Sequence, residues 1–207
     1  MRMVAGTALV LPTISIATPA ELSAVAQLQL DTFDPAPPPA PPSNNPFASL
    51  LGGSVESPAA RAQRVERLTE ELRERVAKGS DIYIARGKLG EADEALLGAV
   101  DLSEQEMQSP FHAIAEGLYL SSMVVALDTR RQGIGRRLLE AAERRATSRD
   151  AECVWLFVEA SNEAAVKLYV SIGFTQQADS PRHTTFATAL ELRQREPLLF
   201  RKSMEAS

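Results

Sequence analysis

The chain has 207 residues, 44% of them hydrophobic, with a formal net charge of −5 at pH 7 and an isoelectric point near 5.2. This length can bury one substantial core, so we expect a single domain over residues 13–203 with short tails at 1–12 and 204–207. The acidic balance argues against nucleic acid as the main partner, and no run of 18 apolar residues is present to span a membrane. The single cysteine, Cys153, excludes an intramolecular disulfide and a cysteine-based metal cluster and is expected to be a small core residue.

A strand and two helices are predicted first. Residues 13–17 alternate like a half-buried strand, and residues 18–21, Thr-Pro-Ala-Glu, form a capping box with proline at the first helical position. A second helix is predicted from Ser57-Pro58 to Lys78-Gly79, with its apolar positions on one face. Between the helices, the proline-rich segment 34–56 favours an expanded loop over a recognition arm for a proline-binding module.

Three strands are predicted next. Residues 82–85 and 96–101 form a hairpin around a polar loop. Residues 119–127 are apolar, rich in β-branched side chains and followed by the turn-favouring Asp128 and Thr129, which indicates a buried strand that ends in a turn.

A glycine-containing loop opens the helix predicted from about Gly133 to Thr147. The first amides of a helix lack intrahelical partners and lie at the positive end of its dipole, and glycines let an anion approach them. Two glycines in a tight turn are the alternative. A Rossmann loop would need glycine at Leu138, and no Gly-Lys-Ser/Thr of a P-loop follows. A different phosphate-bearing cofactor is therefore predicted.

A second strand-to-helix unit follows. Residues 153–158 form an apolar run of strand length, and residues 163–172 place apolar side chains on one helical face. Ser161 or Asn162 can cap the start of this helix, and Gly173 suits the left-handed position at its end. A final strand is predicted over residues 198–202.

These two units together resemble the GNAT acyltransferase superfamily. Its coenzyme signature, Gln/Arg-x-x-Gly-x-Gly/Ala, is matched by Arg130, Gly133 and Gly135. Its second motif, Asn-x-x-Ala-x-x-Leu-Tyr-x-x-x-Gly-Phe, is matched by Asn162, Ala165, Leu168, Tyr169, Gly173 and Phe174. The resemblance covers almost the whole chain and implies an α/β fold of the mixed α+β kind. This GNAT fold has a mixed, mostly antiparallel sheet with splayed strands, flanked by about four helices.

The resemblance also implies a set of site residues for acetyl-coenzyme A. The backbone of Met123, Val124 and Val125 would pair with the pantetheine arm like an added strand. The amides from Arg131 to Arg136 would hold the pyrophosphate, with both glycines clearing space. The coenzyme-binding residues of this signature are Arg130, Arg131, Gln132, Gly133, Ile134, Gly135 and Arg136. Asn162 and Ala165 fall at coenzyme positions of the second motif.

Tyr169 corresponds to the tyrosine that protonates the departing thiolate. This role is chemically reasonable, because the reference pKa of a phenol, about 10, is close to that of a thiol, about 8.5. From its spacing alone, Tyr169 could equally be a core aromatic whose hydroxyl is bonded to a carbonyl.

The general base is less defined by the sequence. An amine must be neutral to attack a thioester, so a carboxylate, or water held by one, usually takes its proton. Some family members place a glutamate on the strand before the loop, where this chain has Ser121 and Ser122. Glu159 is the catalytic carboxylate that we expect, with Asp101 as a second candidate; the alternative for both is a solvated strand end.

The predicted activity is transfer of an acetyl group from acetyl-coenzyme A to a primary amine by direct attack, without a metal. A protein N-terminus or a lysine is the favoured acceptor, so protein or peptide amines are the expected partners. The alternatives are a small-molecule amine as acceptor, or a module that binds acetyl-coenzyme A as a regulatory ligand without turnover.

The cellular location is predicted from a further similarity. Residues 120–125 and 130–135, the polar insertion 103–117 and the closing Leu-Phe-Arg-Lys strand are similar to plant and algal plastid GNAT enzymes, which implies acetylation of protein N-termini and lysines. No secretion signal is recognised, and a strand beginning near residue 13 leaves no room for a transit peptide. A processed or truncated chain would reconcile the two, so the expected location is the plastid for a plant or alga and the cytoplasm otherwise.

Overall fold

The computed structural model describes residues 11–35, 56–88, 93–104, 117–177 and 197–204. Its strands are β1 Thr13–Ile16, β2 Asp81–Gly87, β3 Ala95–Ser103, β4 Leu118–Val125, β5 Cys153–Glu159, β6 Thr175–Gln176 and β7 Pro197–Ser203. Its helices are α1 Leu22–Phe33, α2 Pro58–Ala77, α3 Ile134–Ser148 and α4 Glu163–Ser171. Most of the proline-rich segment 34–56, and most of both predicted tails, lie outside the described residues.

The predicted helix starts are confirmed. The Thr18 amide donates a hydrogen bond to the Glu21 carboxylate at 2.8 Å, and the short 3-10 turn Pro19–Glu21 leads into α1. At the start of α2, the Ser57 hydroxyl accepts a hydrogen bond from the Ala60 amide at 3.1 Å. Each cap gives a partner to a backbone donor that the helix itself cannot satisfy.

The seven strands form one sheet in the order β1-β2-β3-β4-β5-β7-β6. Every neighbouring pair is antiparallel except β4 and β5, which run parallel. That parallel pairing covers only residues 118–120 of β4 against 154–156 of β5, although both strands continue further. The mixed, mostly antiparallel sheet with splayed strands is therefore confirmed. We call the opening beyond this pairing the β4–β5 gap.

Helices cover the sheet on both faces. Leu118 and Leu120 of β4, with Leu156 of β5, belong to a core beneath α3 and α4, on what we call the α3 face. Val124 of β4 packs with residues of α1, α2 and β2 on the opposite, α2 face; these include Leu22, Val25, Leu72, Ile82 and Ile84. Burial of each large apolar side chain contributes roughly 1.5–3 kcal/mol, so the two cores hold the sheet between the helices.

Two findings about the described residues bear on function class. No helix among them combines the length and apolar character needed to cross a bilayer. No three metal-ligating side chains among them lie close enough together to hold an ion. Cys153 is buried, which confirms its expected place in the core.

Candidate active site

A β-bulge in β4 shapes one side of the β4–β5 gap. Ser121 pairs with Asp101 of β3 and Val124 pairs with Ala99, so Ser122 and Met123 together face a single residue of β3. Ser122 has a φ of 52°, in the left-handed region that a non-glycine residue rarely adopts. Such bulges bend a strand and redirect its side chains, and they occur frequently beside active sites. Here the bulge lies where β4 separates from β5.

Side chains alternate between the two sheet faces on either side of this bulge. Met123 and Val125 pack with the core on the α3 face, together with Val158 of β5. Tyr119 meets Phe157 edge to face with ring centroids 6.2 Å apart, on the α2 face. Because strand side chains alternate, Ser121 and Glu159 belong to that same α2 face. The gap is therefore apolar on one face and polar on the other.

The loop before α3 presents its backbone as predicted. Arg131 and Gly133 have φ values of 65° and 80°, and Gly133 is the N-cap of α3 without any side-chain cap. The first helical hydrogen bond runs from the Arg137 amide to the Gly133 carbonyl at 3.1 Å. The amides before Arg137 thus point out of the helix end, where the dipole favours an anion.

Three of the nearby arginine side chains bond to the protein itself. Arg130 donates to the Val125 carbonyl at 3.1 Å, Arg136 donates to the Ser171 hydroxyl at 3.0 Å, and Arg137 donates to the Pro12 carbonyl at 3.3 Å. These contacts fix the loop and tie it to β4 and α4. They also favour the backbone, rather than these guanidinium groups, as the part of the loop that meets an anion.

The two glycines of the loop have different roles. A Cβ atom on Gly133 would meet nothing within 4 Å, so the left-handed φ is what favours glycine there and the space beside it is open. A Cβ atom on Gly135 would lie 2.8 Å from the Met123 methyl and 3.2 Å from Leu168 Cδ2. The expectation that both glycines clear space for phosphate is therefore wrong for Gly135, which makes room for side chains inside the protein.

Tyr169 lies on the α3 face of the gap and is only 6% exposed. Its hydroxyl donates to the Met123 sulfur at 3.6 Å, so its acceptor is a thioether and not the carbonyl considered from sequence. Burial, with a smaller contribution from Tyr119, raises the pKa of the Tyr169 phenol well above its usual range. The phenol therefore keeps its proton at neutral pH, as an acid catalyst must before it reacts, but the raised pKa makes transfer of that proton to a thiolate less favourable than the reference values imply.

Asn162 caps α4. Its side-chain oxygen accepts a hydrogen bond from the Ala165 amide at 3.2 Å, which confirms the predicted cap and assigns it to Asn162 rather than Ser161. Ala165 packs on the core beneath α4. Since the oxygen is engaged in the cap, the amide nitrogen of Asn162 is the atom suited to a ligand in the gap.

An ion pair lies on the α2 face beside the bulge. Asp101 of β3 is completely buried and pairs with Arg75 of α2, whose side chain is 31% exposed. Arg75 also donates to the Ser121 hydroxyl at 2.7 Å. Burial raises the pKa of Asp101 to about 6, although Arg75 acts in the opposite direction, and neither carboxylate oxygen has a well-aligned donor among the described residues.

Glu159, by contrast, is only partly buried and ends β5 at the wide end of the gap. The two carboxylates proposed from sequence differ in burial: Asp101 is fully buried beside Arg75, whereas Glu159 is partly buried at the end of β5. Sequence reasoning missed Arg75. Its position on an arginine-rich helix gave no signal to separate it from its neighbours.

Comparison with known proteins gives the same fold. A Salmonella typhimurium structure solved with its cofactor acetyl-CoA has a TM-score of 0.62 and 16% identity, covering 96% of each chain. A ribosomal-protein-alanine N-acetyltransferase from Brucella melitensis has a TM-score of 0.60 and 21% identity, covering 92% of this chain and 99% of its own.

A match in sequence is also found among curated proteins. The [ribosomal protein bS18]-alanine N-acetyltransferase of Escherichia coli K12 is 44% identical over 57 residues, which span 28% of this chain and 38% of that enzyme. The model of the Acetyltransferase (GNAT) family matches residues 55–174, which is more than half of the chain. The chain therefore belongs to the GNAT family of acetyltransferases.

Proposed function

We propose that this protein transfers the acetyl group of acetyl-coenzyme A to a primary amine of a protein or peptide. The observation that carries the proposal is the arrangement along β4. An unpaired strand edge runs from the bulge towards the amides of α3, and the buried, protonated phenol of Tyr169 stands beside the bulge. A long thioester with a pyrophosphate at one end fits such a track.

The coenzyme would bind along this track in three segments. The backbone of Met123, Val124 and Val125 would pair with the pantetheine arm on the side of β4 that faces β5, because the β4–β5 pairing ends at residue 120, while β3 remains paired on the other side. The amides from Arg131 to Arg136 hold the pyrophosphate at the end of α3. The side-chain nitrogen of Asn162 donates to the coenzyme from the β5 side. Acetyl-coenzyme A in the related Salmonella typhimurium structure supports this choice of donor.

The reaction then divides between the two faces of the gap. The neutral amine nitrogen attacks the thioester carbonyl carbon, and the carbon–sulfur bond breaks. The departing thiolate takes the proton of Tyr169 from the α3 face. Glu159, directly or through one water, takes the proton of the amine from the α2 face. Glu159 supplies a carboxylate where the chain has only Ser121 and Ser122 on β4.

Protein N-termini, with lysine side chains beside them, are the acceptors that we propose. The curated relatives are described as alanine N-acetyltransferases of a ribosomal protein, which supports a protein amine over a small one.

The similarity of several segments to plastid members of the family also leads us to propose action in the plastid of a plant or alga. A fluorescent fusion to the full-length natural protein, with chlorophyll as the reference, tests that location.

The acceptor is identified by incubating a proteome-derived peptide pool with acetyl-coenzyme A and mapping new acetyl groups by mass spectrometry, with Tyr169→Phe as the matched control. Acetylated N-termini or lysines that disappear in the variant support the proposal. If thiol is released only with small amines, the acceptor is a small-molecule amine and not a protein or peptide. Coenzyme binding with no thiol release for any amine would instead identify a regulatory binding module.

A further inference from the structure

The Arg75–Asp101 pair is polarised across the α2 face. The side chain of Asp101 is fully buried in the sheet, whereas the side chain of Arg75, which reaches it from α2, is 31% exposed. A group that approaches the sheet from this face therefore meets the positive end of the pair first. The pair as a whole is neutral, but it forms a dipole whose positive end, on Arg75, is the more exposed one.

Packing of α2 against the sheet does not by itself account for a buried ion pair at this position. Buried apolar residues lie on the same face, among them Leu72 of α2, Ala99 of β3 and Val124 of β4. Replacement of a buried ion pair by packed apolar residues is often neutral or stabilising, because desolvation offsets the attraction between the charges. A role beyond packing is therefore worth assigning to the charge.

The location of the charge indicates that role. Asp101 is the register partner of Ser121, and Ser121 precedes the bulge at the point where β4 leaves β5. The 2.7 Å hydrogen bond from Arg75 to the Ser121 hydroxyl brings the guanidinium to the same point. The cation thus lies at the α2-side mouth of the β4–β5 gap, on the same face as Glu159.

We propose that Arg75, held in place by Asp101, bars a protonated amine from this mouth, so that the enzyme takes its acceptor only as the neutral amine. This inference rests on the proposed acetyl transfer and narrows its acceptor. Near pH 7.5, roughly a third of N-terminal α-amines but only about a thousandth of lysine ε-amines are neutral, from their reference pKa values. Exclusion of the ammonium form therefore favours N-terminal α-amines.

Other ionisable groups face the pair and define its environment. Tyr119 of β4 lies close enough for its pKa, raised to about 12 by burial, to be affected by Arg75 and Asp101. Asp81 of β2 raises the pKa of Asp101. Asp81 is itself paired with Arg145 of α3 and with Arg149, the C-cap of that helix. Glu159 of β5 is the carboxylate on the same face. Arg75 is thus the cation nearest to Ser121 among these groups.

Two substitutions test the proposal because they change the charge at the mouth in opposite directions. Asp101→Asn leaves Arg75 without its counter-ion and makes the mouth more positive. The double variant Arg75→Met/Asp101→Asn removes both charges without leaving a buried, unpaired carboxylate. Arg73→Met is the matched control, because Arg73 lies on the same helix with its side chain 46% exposed and paired with Glu70.

The main measurement is the pH dependence of kcat with an N-terminal peptide, since kcat reports the amine in its bound state. Asp101→Asn is expected to lower the apparent pKa of the bound amine, and the double variant to raise it, each by roughly one pH unit for a charge several ångströms away. The ratio of activity with an N-terminal α-amine peptide to activity with a lysine peptide should also fall about tenfold in the double variant. Arg73→Met should change neither quantity.

Equal shifts in the same direction, or none in either variant, would overturn the proposal, because a purely structural pair would lower activity without opposite shifts. Coenzyme affinity by calorimetry and thermal unfolding are measured for each variant to verify folding. If the natural protein itself binds coenzyme but acetylates no amine, the proposed function fails, which is distinct from failure of the Arg75 role.

Discussion

The two faces of the β4–β5 gap differ in the way they handle a proton. On the α3 face, Tyr169 is buried among apolar side chains, and its hydroxyl donates to the soft sulfur of Met123. On the α2 face, Asp101, Arg75 and Ser121 form a charged, hydrogen-bonded cluster. An apolar environment keeps an acid protonated, whereas a polar one can hold an ionised base. The protein thus separates the group that gives a proton from the groups that control the incoming amine.

The largest expected effect is on the apolar face. Tyr169→Phe keeps the ring and its edge contact with Phe174 but removes the acidic proton. We expect kcat to fall about 100-fold or more, on the scale of general acid catalysis, while the coenzyme dissociation constant changes less than about twofold. Steady-state thiol release and calorimetry measure the two quantities.

Tyr119→Phe is the control, because Tyr119 is also a tyrosine of raised pKa but lies on the polar face. Its kcat should fall only a few-fold. Equal losses in the two variants would show that the faces do not divide the proton transfers as proposed.

The next effect concerns stability on the polar face. Burial raises the pKa of Asp101 from 3.8 to about 6, so between these values the unfolded chain releases its proton before the folded protein does. Stability should therefore fall as pH rises from about 4 to about 6 and then level off. A shift of this size corresponds to at most about 3 kcal/mol.

Asp101→Asn removes this titration. We expect the free energy of unfolding, measured with urea, to change in favour of the variant relative to the natural protein between about pH 4 and about pH 6. Above that window the difference should stay constant. A difference that is independent of pH would mean that Arg75 fully compensates the buried carboxylate.

A third effect separates Glu159 from the other carboxylates. Glu159→Gln should lower kcat/KM about 10- to 100-fold near neutral pH, because the amine loses the group that takes its proton. Glu163→Gln is the control, since Glu163 is exposed at the start of α4 and pairs with Lys167 on the surface. Equal pH profiles for the natural protein and Glu159→Gln would exclude Glu159 as the base.

The apolar face was largely predictable from sequence because its residues lie in two contiguous motifs. A cap at Ser161 or Asn162, the left-handed Gly173, with a φ of 95°, and the start of α3 follow from local spacing alone, whereas the choice of Asn162 needs the structure. Local rules could not give the Met123–Tyr169 contact, whose partners are 46 residues apart, or the inward direction of Gly135. Those depend on how α3 and α4 dock on the sheet.

The polar face was predictable only in part because four elements build it. Helix α2 carries five arginines, and only its rotation against the sheet decides which of them reaches β3; they are Arg61, Arg64, Arg67, Arg73 and Arg75. The bulge at Ser122 is likewise invisible in the alternation of β4. Asp101 and Glu159 were recognised as carboxylates at strand ends, but their different burial comes from tertiary packing.

A smaller effect distinguishes the two glycines of the loop. Gly133→Ala places a Cβ on a left-handed residue and should cost about 1–2 kcal/mol of stability, while its methyl also crowds the open side of the loop. Gly135→Ala displaces the end of the flexible Met123 side chain, requires a small shift of Leu168 and adds a better helix former, so stability should change by less than about 1 kcal/mol.

Coenzyme affinity by calorimetry completes this test. Weaker binding is expected for Gly133→Ala and nearly unchanged binding for Gly135→Ala. The reverse order would mean that Gly135, not Gly133, faces the phosphate.

The smallest expected effect is that of a substitution at Met123, which lies against Gly135 and accepts the hydrogen bond of the Tyr169 hydroxyl. Met123→Leu keeps the volume of the side chain but removes the sulfur that accepts the Tyr169 hydroxyl, and a buried hydroxyl without an acceptor destabilises the coenzyme-free protein. If the coenzyme sulfur then takes over as acceptor, coenzyme should bind roughly two- to fivefold more tightly, equivalent to less than about 1 kcal/mol. In a Tyr169→Phe background the same substitution should have no effect on affinity, because the hydroxyl is already absent. An identical change in both backgrounds would show that Met123 acts through packing against Gly135 and not through the tyrosine.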